Sequence, residues 1–267
     1  MRVDQLLVQR GLAPTRSAAQ RLIARGAVRW FGPDGWTPPR KAGDDLPEST
    51  ALELVDDAEV RWVSRGGLKL DAALARTGVD PAGRVALDVG QSTGGFTDVL
   101  LARGASRVVG IDVGHGQLHP RLRDDPRVVA LEGVNARHLT PGDLAGCMPP
   151  GGFDLLAGDL SFISLSLVLP ALAGVAAPGA DLLLLVKPQF EGSPGDRRGT
   201  TRRREGPQVE ALRRRLEADA AGAGLQVLDW FDSPIAGGNG DREHFIHARR
   251  IRASDTQTRR VRASEAP

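Results

Sequence analysis

The sequence predicts an α/β protein: a seven-stranded, mostly parallel sheet of Rossmann-like design, preceded by a small α+β module. Three observations lead there. From Ser64 onward, apolar runs of strand length alternate with helical stretches, the pattern of parallel strands joined by crossover helices. One of these runs, 85–89, opens through a glycine-rich turn directly into a helical stretch. The first sixty residues differ, with two short helical patterns and then small strands between Gly- and Pro-rich turns.

In the first module, Val3, Leu6 and Leu7 lie at helical spacing before Gly11, and a second helix over 17–25 ends at Gly26. Leu22 and Ile23 face inward there, leaving Arg16, Arg21 and Arg25 for an outer face. Strands are expected over 27–31 and 51–55, with 32–35 and 37–39 as turns. The module spans 1–59, and 60–63 forms a linker to the second module at 64–250. An arginine-rich tail, 251–267, is polar enough to be disordered.

The second module has candidate strands at 85–89, 108–113, 128–131, 153–159, 182–187, 226–231 and 244–247. Helices are expected at 67–77, 96–103, 165–176 and 208–221. The segment Asp88-Val89-Gly90-Gln91-Ser92-Thr93-Gly94-Gly95-Phe96 is a strand, a glycine loop and a helix start. Glycines let the backbone close on a ligand, and the new helix offers unpaired N–H groups to an anion. Alone, that fits a dinucleotide site, a methyl-donor site or a tight turn. The spacing is not Gly-x-Gly-x-x-Gly, and Asp112 ends the next strand, where it can accept hydrogen bonds from ribose hydroxyls. Together these favour an S-adenosylmethionine-dependent methyltransferase over an NAD enzyme. Asp88, Gly90, Ser92, Gly94 and Phe96 are candidates to hold the methionine part, Asp112 the ribose, and Asn135 the flank of the adenine.

Of 35 Lys plus Arg residues, only Lys41, Lys69 and Lys187 are lysines. An amine can shed its proton and a guanidinium cannot, so a lysine kept against such a bias marks a place where charge alone is not enough. Ligands of open α/β sheets bind at the strands' carboxyl ends. Asp159 and Lys187 end two predicted strands. Glu243 reaches the same edge if the last strand runs antiparallel, and Lys69 starts a helix running back against the sheet. Lys69, Asp159, Lys187 and Glu243 thus converge from four distant segments.

Taken in order, several stretches resemble the TlyA family, also called hemolysin A, whose methyltransferase part is similar to the FtsJ-type ribose methyltransferases. They are 63–70, 88–98, 112–118, 159–165 and 186–191, with Ser233-Pro234-Ile235 and Gly238-Asn239 near Glu243. The Arg-Leu-Ile-Ala-Arg-Gly-Ala-Val stretch at 21–28 resembles the S4-type RNA-binding domain. The resemblance implies 2′-O-methylation of cytidine riboses in ribosomal RNA by a Lys-Asp-Lys-Glu tetrad falling on Lys69, Asp159, Lys187 and Glu243. In that chemistry Lys187 is the candidate base, because an alcohol nucleophile needs one near neutral pH. Two departures stand out. Gln91 occupies a place where a smaller residue is expected, and 199–207 diverges from the family's loop.

Charge adds a partner. Residues 1–30 hold six arginines against Asp4, and further arginines cluster at 197–204, including Arg202, Arg203 and Arg204, and again at 249–262. Such clusters fit a polyanion, here ribosomal RNA or ribosomal subunits. Nothing calls for an obligate protein partner. A single cysteine, Cys147, excludes intrachain disulfides and fits a reducing cytosol. The start lacks a signal-peptide core and no apolar run spans a bilayer, so a cytoplasmic protein without a membrane role is expected. His115 with His119 and His244 with His247 lack a third ligand, so no metal is expected. Two other readings compete: a non-catalytic RNA-binding or ribosome-assembly factor, and a membrane-active hemolysin. The two well-placed lysines speak against the first, and the absence of a strongly amphipathic apolar segment against the second.

Overall fold

The computed structural model describes residues 1–33, 35–55, 61–192, 206–237 and 240–252. The chain forms two compact units, Met1–Leu68 and Lys69–Pro267.

In the first unit, helices α1 (Val3–Gln9) and α2 (Arg16–Ala24) pack Val3, Leu6 and Leu7 against Ala18, Ala19, Leu22 and Ile23. The Thr15 hydroxyl accepts from the Ala18 N–H at 3.2 Å and caps α2. Asp4 is buried in the first turn of α1, where Arg2, Gln20 and Arg16 donate to it at 3.0, 3.0 and 3.1 Å. The Arg2 guanidinium, with help from Gln20 and Arg16, holds the Asp4 carboxyl well below the usual range against the cost of burial. Strands β1 (Val28–Gly32), β2 (Gly35–Thr37) and β3 (Leu52–Leu54) form an antiparallel sheet in the order β2-β1-β3. The sequence reading lacks β2, because three residues set among Pro33, Gly35, Pro38 and Pro39 read as turn. Pairing with β1 makes them a strand, with Trp36 opposite Phe31.

The second unit is built on a seven-stranded sheet. It runs α3 (Gly66–Thr77), β4 (Val85–Val89), α4 (Gly95–Ala102), β5 (Arg107–Asp112), α5 (Pro120–Arg123) and β6 (Val128–Glu132). It continues with β7 (Phe153–Gly158), α6 (Leu169–Val175), β8 (Ala176–Val186), α7 (Pro207–Gly222), β9 (Leu225–Asp232) and β10 (His244–Arg250). Helix α3 starts at the junction between the units. Strand order is β6-β5-β4-β7-β8-β10-β9, with β10 antiparallel to both neighbours and the β4, β5, β6, β7 and β8 pairs parallel. The first strand is central and the chain winds outward both ways, so the order reverses between β4 and β7. That is where the carboxyl ends of an open sheet leave a crevice. Leu87, Val89, Val109, Leu156, Leu182, Leu184 and Ile246 carry the core beneath it. Burial on both faces explains why these strands read as unbroken apolar runs.

Besides the four-residue α5, which the sequence reading lacks, two elements differ from it. The helix expected over 165–176 is a 3₁₀ turn at Leu165–Leu167 followed by α6, because Pro170 has no N–H and fits only in a helix's first turn. Strand β8 begins at Ala176, six residues early, and takes in Pro178 and Gly179. Residues 253–267 of the expected tail, with 202–204 and 238–239, lie outside the described residues. No helix among the described residues is long and apolar enough to cross a membrane.

Candidate active site

Asp159 and Lys187 each follow directly on a strand, β7 and β8, at the carboxyl edge. Antiparallel β10 places His244 opposite Val186, so Glu243 meets the same edge. Lys69 lies in the first turn of α3. The four side chains form one run of contacts, from Lys187 to Asp159 to Lys69 to Glu243. Lys187 Nζ is 2.6 Å from Asp159 Oδ1, and Lys69 Nζ lies 2.7 Å from Glu243 Oε2 and 3.5 Å from Asp159 Oδ2. The Asp159 carboxylate therefore bridges the two ammonium groups. These contacts are ion pairs by distance but lack hydrogen-bond alignment; the aligned bond of Lys187 runs to Ser161 Oγ at 2.8 Å. Four buried or nearly buried charges sum to zero when all are ionised, which is what allows them to stay out of water.

A cavity of 490 Å³ opens beside this cluster, lined by Gly90, Ser92, Asp112, Val113, Asn135 and Phe162, among others including Asp159 and Ser161. It runs from the ends of β5 and β6 to the loop after β7. Gly90 has φ +84°, and a Cβ there would stand 2.9 Å from the Asp159 carbonyl oxygen, so the turn requires glycine. Asp112 accepts from the Ser92 N–H at 2.8 Å and the Gly114 N–H at 2.7 Å, which fixes its carboxylate at the cavity wall. Ser92, at φ +47°, also donates from Oγ to Gln117 at 3.0 Å. Asn135 lines the cavity while its side chain accepts from the Arg137 N–H at 3.0 Å.

Three of the residues expected to hold the cofactor do not line this cavity. Asp88 is only 1% exposed, and its Oδ2 accepts from the Thr97 N–H at 2.9 Å and hydroxyl at 2.7 Å; it shapes the glycine loop from beneath. Phe96 is buried and stacks on Phe245 at 6.4 Å between centroids, so its side chain belongs to the core. Gly94 caps α4, where a Cβ would strike Leu122 at 2.4 Å, so it serves packing. Gln91 keeps its size because Gly110 on the neighbouring strand leaves room, and its amide donates to Thr97 Oγ1 at 2.9 Å.

Burial pushes the Asp88 carboxyl up to about 7, against the hydrogen bonds from Thr97. A raised folded value favours the fold below pH 3.8 and loses that advantage as pH rises to about 7. Relative to Asp88→Asn, the natural protein should therefore lose on the order of 4 kcal/mol between pH 4 and pH 8. Urea melts of both proteins across that range check it, and parallel curves refute it.

Sequence reasoning assigned no role to Ser161, Phe162, Gln117 or Glu191. Phe162 adopts φ +64° and is 84% exposed at the cavity rim, with its ring 5.0 Å from that of Phe190. An exposed aromatic in a left-handed conformation is held there by its surroundings. In the sequence, Phe162 stands out only as part of the stretch 159–165. In the first unit, Arg16 is exposed at the start of α2, Arg21 is half-buried on it and Arg25 is exposed at its C-cap, but Arg16 spends one nitrogen on Asp4. His244 and His247 pair with Asp232 and Asp181, and the described residues contain no group of three metal-ligating side chains.

The FtsJ-like methyltransferase family profile matches residues 62–250, and the S4 domain profile matches residues 1–29. The chain is 47% identical over 253 residues to the 16S/23S rRNA (cytidine-2′-O)-methyltransferase TlyA of Mycobacterium tuberculosis, covering 93% of this chain and 89% of that one. It is 32% identical to hemolysin A of Brachyspira hyodysenteriae, covering 92% and 99%. A solved Streptococcus thermophilus structure bearing the hemolysin name superposes with TM-score 0.68 at 37% identity, covering 94% and 88%.

Proposed function

The chain belongs to the TlyA family of FtsJ-like methyltransferases, and on that premise we propose that it methylates the 2′-hydroxyl of cytidine riboses in ribosomal RNA. The observation that carries this reading is the contact among Lys69, Asp159, Lys187 and Glu243 at the end of an open cavity.

The cavity suits S-adenosylmethionine. Its volume lies in the range of small-molecule sites. Asp112, held by two backbone N–H groups, presents a carboxylate for ribose hydroxyls, Gly90 lets the backbone approach, and Val113, Val134 and Ala136 offer an apolar wall for a flat ring. When bound there, S-adenosylmethionine supplies a methyl group on a positively charged sulfur.

The tetrad would prepare the hydroxyl. Asp159 and Glu243 pair with the two lysines, and Lys187, beside both Asp159 and Ser161, is the candidate base once its amine is free of its proton. The amine accepts the 2′-hydroxyl proton as the oxygen attacks. The resulting ammonium then finds Asp159 at the 2.6 Å contact already described. Ser161, the other Lys187 partner, keeps the Nζ lone pair directed. Phe162 and Phe190 give a ring face at the rim on which an unstacked base can rest.

The S4 domain supports an RNA partner, and we assign Arg16, Arg21 and Arg25 to that contact, with Arg202, Arg203 and Arg204 as the second contributor. A ribosomal substrate places the enzyme in the cytoplasm. The test is transfer of tritiated methyl to purified ribosomal subunits from cells that lack this modification, with liposome leakage run in parallel. Incorporation without leakage is expected. No incorporation by folded protein favours a binding factor, and leakage favours the hemolysin reading.

A further inference from the structure

Beyond the tetrad, a third carboxylate joins two of the loops that carry it. Glu191 is 2% exposed and fully engaged. Its Oε2 accepts from the Ser164 hydroxyl at 2.6 Å and from Arg215 at 3.1 Å, and its Oε1 accepts from the Leu165 N–H at 2.7 Å. Arg215 also donates to the Glu191 carbonyl at 2.7 Å, tying the pair to α7. Ser164 lies five residues after Asp159, and Glu191 four after Lys187. The two loops are thus cross-linked twice: in front by Lys187 to Asp159 and Ser161, and behind by Glu191 to Ser164 and Leu165. Phe162 and Phe190 sit between the two links.

The front link uses a group that must change partners during the reaction. Once the Lys187 amine turns to a hydroxyl, that link no longer fixes the spacing of the loops. The rear link takes no part in proton transfer and stays closed. A buried charge is also a costly way merely to anchor a loop, since apolar packing stabilises at least as well; directional bonds to three donors fix position instead.

We propose that Glu191 is a positioning residue that sets the distance between the Asp159 and Lys187 loops, acting on methyl transfer through geometry without touching substrate. This rests on the methyl-transfer reading above.

The test uses the full chain, tritiated methyl donor and undermethylated ribosomal subunits. Glu191→Ala should lower kcat by roughly 10- to 100-fold, the scale of a misplacement near 1 Å. Affinity for S-adenosylmethionine, measured calorimetrically, should fall much less than kcat, since Glu191→Ala displaces only the Asp159–Ile163 side of the cavity and leaves the wall at Asp112 and Gly90 in place. Ser164→Ala, which deletes one hydroxyl and spares the buried charge, should lower kcat less, in the same direction, with unchanged melting temperature. Glu191→Gln sets an amide against Arg215, and adding Arg215→Met should recover part of its lost turnover. Wild-type kcat in both Glu191→Ala and Ser164→Ala overturns the proposal, as does a loss that merely follows the folded fraction or cofactor affinity. An inactive wild-type protein overturns the methyl-transfer reading and this inference with it; an active wild type beside active variants overturns this inference alone.

Discussion

Lys187→Arg is expected to lower methyl transfer by about 10²–10⁴-fold, the contribution of a general base, with S-adenosylmethionine affinity and melting temperature little changed. Arginine preserves the charge that faces Asp159 across 2.6 Å. It therefore isolates the one property that differs, the ability to release a proton. A lysine that only neutralises charge would tolerate the change. Measuring kcat with calorimetric affinity and a thermal melt on the same preparation separates the cases, and near-normal turnover would remove Lys187 from the role of base. Lys187→Met sharpens the comparison, since it should be equally slow while lacking the charge as well.

The largest effect on stability is expected from Lys69→Met. Glu243 has only 3% of its side chain exposed, and the Lys69 amine, on a side chain 9% exposed, lies 2.7 Å from it; Asp159 shares the same ammonium at 3.5 Å. Removing the amine takes the Lys69 countercharge away from a buried carboxylate, which costs about 3–5 kcal/mol. The double variant Lys69→Met with Glu243→Leu takes away both members and should regain most of that loss, because apolar groups of similar volume replace a buried pair at little net cost. Neither protein should transfer methyl groups at a useful rate. Chemical denaturation of the wild type, both single variants and the double variant checks the cycle. Additive losses in the double variant would mean that the two groups do not interact.

Much of this arrangement is legible in the sequence because parallel strands announce themselves. Their apolar runs fix which residues stand at strand ends, and the end of a strand in an open sheet is a place in space as well as in the chain. That is how Asp159, Lys187 and Glu243, far apart in sequence, are assigned to one edge. The glycine loop is less transparent. Spacing puts Asp88 and Phe96 near a ligand, but it does not reveal which way a side chain turns. Asp88 turns beneath the loop to Thr97, and Phe96 turns into the core against Phe245. Gln91 looks too large until Gly110 is found beside it on the adjacent strand. Ser161, Phe162 and Glu191 act through contacts between two loops, and neither hydrophobic period nor propensity encodes such contacts.

If Lys69, Asp159, Lys187 and Glu243 act as proposed, the methyl group goes to a ribose oxygen. A 2′-O-methyl group blocks alkaline cleavage of the phosphodiester that follows it, so the position of the label can be read chemically. Ribosomal RNA methylated by the purified protein with tritiated donor is hydrolysed in alkali and the products are separated. The label is expected in alkali-resistant dinucleotides that carry cytidine at the 5′ position, and it should vanish with Lys187→Arg. Label recovered in mononucleotides would place the methyl group on a base and contradict the account.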